Sequence, residues 1–214
     1  MDHNLKDLIT QFMRLVGEGS IEVYNEFSLQ HELGIYLRQC LQEEKEEEKY
    51  KYKVQFERNV NFFQKDKTIK HKTIKHEIDI VIYDENDDSE RYAIELKCPH
   101  NGRTPETMYD FVKDIRFMEQ LNELGFKKTY CLILVEDKNF YSGKSKEDDI
   151  YAYFRARKPL KGRILKPTGK GKNRDGILIS GEYVISWQFC ISNDKTANRR
   201  YCLVEVIGHE QQTA

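Results

Sequence analysis

The stretch that decides the fold is His76-Glu77-Ile78-Asp79-Ile80-Val81-Ile82-Tyr83, taken together with Arg91-Tyr92-Ala93-Ile94-Glu95-Leu96-Lys97. The first run is dominated by β-branched and aromatic residues, the second alternates Tyr92, Ile94 and Leu96 with Ala93, Glu95 and Lys97, and the polar run Asp84–Glu90 between them reads as a turn. The pair is therefore a β-hairpin. Side chains alternate along a strand, so Glu95 and Lys97 share a face, about 6.7 Å apart along the backbone. The turn centres on Asp87, with Asp79 eight residues before it and Glu95 eight after. A symmetric hairpin sets Asp79 directly across from Glu95, with roughly 4.5–5.5 Å between their Cβ atoms. Ile78, Ile80, Ile82, Ile94 and Leu96 then point to the opposite face.

Two carboxylates held side by side repel, and the arrangement is costly unless a cation lies between them. Lys97 supplies some positive charge. Carboxylate oxygens are also the hard ligands that Mg²⁺ prefers, and a metal there would polarise a phosphate and activate water, with Lys97 placed to orient or deprotonate it. The plainer alternative is a surface hairpin carrying Asp, Glu and Lys as a salt-bridged patch. The strongly apolar opposite face and the small Ala93 beside the acids favour the metal site.

Working outward, Leu5, Leu8, Ile9, Phe12, Leu15 and Val16 have helical spacing that ends at Gly17. A second helix is expected after Ser28 as N-cap, with Leu29, Leu33, Tyr36, Leu37 and Cys40 on its apolar face and a continuation into the acidic run 43–48. On that helix Glu32 falls 60° from Leu29, at the rim of the apolar stripe, where a boundary residue is the ordinary reading. Val54–Phe63 is expected as a strand ahead of the hairpin. After it, Thr104 as N-cap, Pro105 and Glu106 open a third helix with Met108, Phe111, Val112, Ile115, Met118 and Leu121 along one side, ended by Gly125. Thr129–Val135 is a continuous apolar run, as a strand covered on both faces would be. Gly176–Ile191 and Arg200–Ile207 read as two further, antiparallel strands.

Asp79, fifteen intervening residues, then Glu95-Leu96-Lys97, set in the order helix, three strands, helix, strand, resembles the PD-(D/E)XK nuclease superfamily over roughly residues 28–135. Ile78 stands where that family often has proline. The resemblance implies an α/β fold, a restriction-endonuclease-like core with a mixed β-sheet flanked by helices; the two strands read after it add a C-terminal antiparallel β extension, and no linker long or polar enough separates a second domain. It also implies that Asp79, Glu95 and the carbonyl of Leu96 hold Mg²⁺, with Mn²⁺ as a substitute, while Lys97 acts on the attacking water. Many members add a Glu from the helix before the sheet. Glu32 matches that position, and Glu57 on the first strand is a weaker rival. The implied activity is hydrolysis of DNA phosphodiester bonds, by an endonuclease of restriction or phage-defence type, which would often work as a homodimer. A non-catalytic nucleic-acid-binding module, or a repair-type or RNA-directed nuclease, is the alternative.

The whole-chain charge taken alone argues against a polyanionic partner: 35 Lys+Arg against 36 Asp+Glu leave a formal charge of −1 over 214 residues. The charges are segregated, however. Residues 151–174 hold nine basic residues and no acid, namely Arg155, Arg157, Lys158, Lys161, Arg163, Lys166, Lys170, Lys172 and Arg174. Phosphate contact by this segment is the reading that explains the missing carboxylates. The lysine-rich connection Lys65–Lys75 carries five lysines and one Asp, and for it a solvated loop suffices. No run approaches the ~18 apolar residues of a spanning helix, and the start MDHNLKDLIT does not read as a signal peptide, so a cytoplasmic protein is expected. The five cysteines are odd in number and form no Cys-x-x-Cys pair, which points to reduced thiols rather than disulfides or zinc. Gly143-Lys144-Ser145 lacks the earlier glycine of a phosphate-binding loop, and no Gly-x-Ser-x-Gly elbow occurs.

Overall fold

The computed structural model describes residues 4–43, 51–64, 72–100, 102–147, 149–155, 158–190 and 198–207. Helix α1 (Asn4–Glu18) buries Leu5, Ile9, Phe12 and Met13, in keeping with its apolar spacing. It runs past Gly17 and stops where Gly19 takes φ 77° and Ser20 N–H returns to the Leu15 carbonyl, 3.0 Å. Helix α2 (Glu26–Glu43) begins before Ser28. Asn25 is the N-cap: its Oδ1 accepts from Ser28 N–H at 2.7 Å, while Ser28 Oγ accepts from Asn25 N–H at 3.0 Å. This reciprocal pair is a capping box, so Ser28 occupies its third helical position rather than the cap. Residues 44–48 of the acidic run lie outside the described residues.

Strand β1 (Tyr52–Asn59) is shorter than the expected Val54–Phe63 at its far end. Asn59 Oδ1 accepts from Asn61 N–H and turns the chain into a single 3₁₀ turn, Val60–Phe63. Strands β2 (Glu77–Asp84) and β3 (Arg91–Lys97) form the hairpin, with Ile80 opposite Ile94 and Tyr83 opposite Arg91. Helix α3 (Thr104–Glu123) links β3 to β4 (Lys128–Val135), its parallel neighbour. A parallel pair needs such a crossover. Thr104 is already helical, with Arg103 in the cap position, and its hydroxyl donates to Asp137 instead. Gly125, at φ 86°, ends the helix as expected, and Phe126 N–H closes back on the Leu121 carbonyl, 3.0 Å.

The last third departs from the two expected strands. Residues 151–174 contribute part of a short helix α4 (Ile150–Arg155) and a strand β5 (Leu160–Leu165). The run Gly176–Ile191 divides into β6 (Gly176–Tyr183) and β7 (Gln188–Phe189). β6 pairs with β5, and only β7 pairs with β8 (Arg200–Val206), which lies antiparallel on β4. Glu119 on α3 accounts for the division. Its carboxylate accepts from the N–H groups of Ser180 and Gly181 and from the Tyr183 hydroxyl, drawing β6 onto α3.

The result is a mixed α/β structure with a six-stranded, mostly antiparallel sheet in the order β1-β2-β3-β4-β8-β7 and a separate β5–β6 pair. Helices α1 and α2 cover one face, over Ile80, Ile82, Ile94, Leu96 and Leu132. Helix α3 and the β5–β6 pair cover the other, over Val81, Ala93, Cys131, Ile133 and Val204. All five cysteines are free. Among the described residues no helix is long and apolar enough to cross a membrane.

Candidate active site

Asp79 marks the place where the sheet's regular pairing lapses. The β1–β2 ladder pairs Phe56 with Ile80 and Arg58 with Ile78 but skips Glu57 and Asp79, and the β2–β3 ladder ends at Ile80 and Ile94. Glu57 takes φ 48°, a left-handed conformation costly for a residue with a Cβ. Side chains replace the missing ladder partners. Asp79 N–H donates to Glu95 Oε1 at 3.2 Å, and the Asp79 carbonyl accepts from Gln30 Nε2 at 2.8 Å. The face alternation changes at the same point: Ile78 packs with the α3-side core and not, as expected, with Ile80 and Ile82.

The lapse leaves two carboxylates clustered at the end of the hairpin. Asp79 Oδ2 accepts from Leu96 N–H at 2.7 Å, which ties β2 to the residue between Glu95 and Lys97. Glu95 is 1% exposed and faces α3, where Asp114, 3% exposed, adds a third carboxylate. Two lysines enter this cluster. Lys75 Nζ donates to Glu95 Oε2 and, at 3.1 Å, to Asp114 Oδ1. Lys97 Nζ lies 3.4 Å from Asp114 Oδ2 and 3.4 Å from Glu26 Oε1, and donates to the Leu96 carbonyl at 3.1 Å.

Three acids against two ammonium groups leave the cluster short of positive charge, and the titrations follow. Burial pushes the Asp79 carboxyl up to about 6, only partly offset by Lys75 and the Leu96 N–H. Glu95 is raised well above the usual carboxylate range by burial, with Asp79 and Asp114 adding to it. For both lysines burial pulls the pKa down, but the acids outweigh it: Asp114 and Glu95 hold Lys75 above its ordinary value, and Asp114 and Glu26 hold Lys97 there. Both are ammonium ions at neutral pH.

Helix α2 reaches the cluster with Glu26 and Gln30, one turn apart on one side. Glu26 also accepts from Cys98 N–H at 3.2 Å, and Gln30 Nε2 bridges the Asp79 carbonyl to Glu57 Oε1 at 2.6 Å. Glu32 sits about 200° further round the helix than Gln30. Its carboxylate is 39% exposed beside His31 Nδ1, 3.4 Å away, and makes no polar contact with Asp79, Glu95 or Lys97. Glu57, directly across from Asp79, lies nearer the cluster.

Lys75 and Asp114 are the members that the sequence reading passes over. Asp114 carried a signal: it stands three residues after Phe111 and four before Met118, inside an apolar stripe where an unpaired acid is out of place. Lys75 looked like one more lysine of a basic connection.

The cluster's chemistry suits a hard cation. Among the described residues Asp79 uses only Oδ2 as an acceptor, Asp114 Oδ2 is buried without a hydrogen bond, and Glu95 already holds a cation. The Leu96 carbonyl faces the same space, as its bond to Lys97 Nζ shows. Among the described residues, no three His, Cys, Asp or Glu side chains form a ready metal-ligand group. The groups that could hold one are two carboxylates, Asp79 and Glu95, and the Leu96 carbonyl.

The turn that follows β5 in the basic segment lies beside the first turn of α3. β3 ends at Lys97, α3 starts soon after, and Thr168 Oγ1 donates to Glu106 Oε1 in the first turn of α3 at 2.6 Å. Asp114 lies eight residues further along that helix, roughly 12 Å down its axis. Not every basic residue there is free for phosphate. Arg155 donates to the carbonyls of Asn139 and Lys144 and stacks on Tyr151 at 3.8 Å. Lys158 donates to the Glu147 carbonyl, Lys161 pairs with Glu182, and Arg163 and Lys166 donate to the carbonyls of Arg174 and Lys170. Arg174 pairs with Asp175 at 75% exposure, and the ammonium groups of the exposed Lys170 and Lys172 have no partner among the described residues. Arg157 and, in the other basic run, Lys65, Lys67 and Lys70 lie outside the described residues.

Comparison with known proteins adds no label to this cluster: no family model, no curated protein and no solved structure matches the chain.

Proposed function

We propose that the chain is a metal-dependent nuclease that hydrolyses DNA phosphodiester bonds, with Asp79, Glu95 and the Leu96 carbonyl as Mg²⁺ ligands on a restriction-endonuclease-like core. One observation carries the reading: Asp79 and Glu95 are forced together, under-compensated in charge, beside Lys97. Such a cluster costs folding free energy, and a divalent cation repays it. The strand order β1-β2-β3-β4, with α3 crossing between parallel β3 and β4, supports the same core.

Bound Mg²⁺ would supply Lewis-acid polarisation of the phosphate and a more acidic attacking water. The remaining work falls to the chain's own groups. Lys97, held above its ordinary value by Asp114 and Glu26, serves as a hydrogen-bond donor that orients the water and offsets negative charge growing on the phosphate. Asp114 and Glu26 hold its ammonium in place from opposite sides. Gln30 and the Leu96 N–H fix the backbone and carboxylate of Asp79. The exposed Lys170, Lys172 and Arg174 bind flanking phosphates, with Mn²⁺ able to replace Mg²⁺ at the acids.

The test is incubation of supercoiled, linear and single-stranded DNA with Mg²⁺ or Mn²⁺, with and without chelator. Wild type cuts at least one substrate only with metal, and Asp79→Asn cuts none. DNA binding without cleavage under every metal condition would mean a non-catalytic binding module instead.

A further inference from the structure

Lys75 sits where a metal cation would be expected to sit. It precedes β2, and the backbone around it is fastened to α3: Ile74 N–H donates to Gln120 Oε1 at 2.8 Å, and Gln120 Nε2 donates to the Lys72 carbonyl at 3.3 Å. Thr73 Oγ1 adds a bond to the Lys75 carbonyl at 2.5 Å. From this anchored stem the ammonium reaches between Glu95 and Asp114, with the Phe117 ring 5.8 Å away. Only the side chain needs to move for the ammonium to leave. It is 31% exposed, so a path to water is open, and its four-carbon stem is flexible.

An ammonium and a divalent cation compete for the same lone pairs. Glu95 Oε2 cannot accept from Lys75 and bind a metal at full strength together. Lys97 is placed differently: it touches Asp114, Glu26 and a carbonyl, and leaves Glu95 to Lys75.

We propose that Lys75 is a built-in occupant of the metal site, an intramolecular cation that holds Glu95 and Asp114 together in the metal-free protein and must be displaced from Glu95 when the metal binds. This rests on the metal-dependent reading above. The released ammonium, still hinged at the start of β2, is then free to take a phosphate oxygen of the nucleic acid. A ligand that draws Lys75 away from Glu95 therefore favours metal binding, and by linkage the metal favours that ligand.

The measurement is calorimetric titration of Mn²⁺ into wild type, Lys75→Gln and Lys75→Ala, without nucleic acid. Both variants should bind Mn²⁺ on the order of tenfold more tightly than wild type, within the usual span of coupled binding events. Equal or weaker binding by the variants, with wild type binding, overturns the role of Lys75 and leaves the metal reading standing. No binding by any of the three overturns both. A readout on wild type guards against misfolded variants: with ¹³C-labelled lysine, saturating Mg²⁺ moves the Lys75 Cε resonance, assigned by its loss in Lys75→Arg. A resonance that stays fixed while the metal binds overturns the proposal.

Discussion

Asp79 is a carboxylate the fold holds at a cost. Its unfolded-state carboxyl ionises near 3.8, whereas burial keeps the folded one protonated up to about 6. Between those values the unfolded chain has released a proton that the folded chain retains, so stability falls as pH rises through that window. Asp79→Asn removes the cost and keeps an acceptor for Leu96 N–H. Its melting temperature at pH 8 should exceed that of metal-free wild type, and at pH 4 the two should converge. Added Mg²⁺ should raise the wild-type value and leave the variant's unchanged. A variant less stable than wild type at pH 8 would show that the carboxylate is not strained. The juxtaposition of Asp79 with Glu95 is legible in the sequence because a hairpin turn around Asp87 fixes the register by counting. The convergence of Lys75 and Asp114 is not legible, because they come from a connection and a helix 39 residues apart, and only packing brings them to one point.

At the scale of elements, caps and anchors decide where chemistry-bearing residues point. Reading Ser28 as the cap of α2 leaves Glu26 outside the helix, and Glu32 is put forward by the family resemblance. The Asn25–Ser28 capping box starts the helix at Glu26 and aims Glu26 and Gln30 at the cluster. Asn25→Ala should cost about 0.5–2 kcal/mol of stability, read by denaturant unfolding. Glu119 does for the β5–β6 pair what the capping box does for α2. Glu119→Ala leaves the Ser180 and Gly181 N–H groups and the Tyr183 hydroxyl without their acceptor, and should destabilise the protein by about 3 kcal/mol. Hydrogen exchange should then show β5–β6 amides opening ahead of those in β3 and β4. Uniform loss of protection would mean that the pair is not a separate unit. The helix–strand order of the core is legible from periodicity and breakers. The splitting of Gly176–Ile191 is not, since it depends on one buried acid on a distant helix.

Over the whole molecule, a net charge of −1 conceals separated blocks, and the turn 166–174 of the basic one lies beside the first turn of α3, the helix that follows β3. If this surface tracks phosphates, Lys170→Glu with Lys172→Glu should weaken DNA binding and flatten its salt dependence by about 0.9 per lost contact on duplex DNA, with thermal stability unchanged. An unchanged salt slope would place the contacts elsewhere. Metal site, charged lysine and phosphate surface together make up the central claim, and cleavage by Lys97→Ala tests it most directly. With Mg²⁺ and supercoiled plasmid in single turnover, wild type should cut, chelator should stop it, and Lys97→Ala should be slower by on the order of 10²–10³. A wild type inert on this DNA, or a Lys97→Ala protein that cuts as fast, would contradict the account.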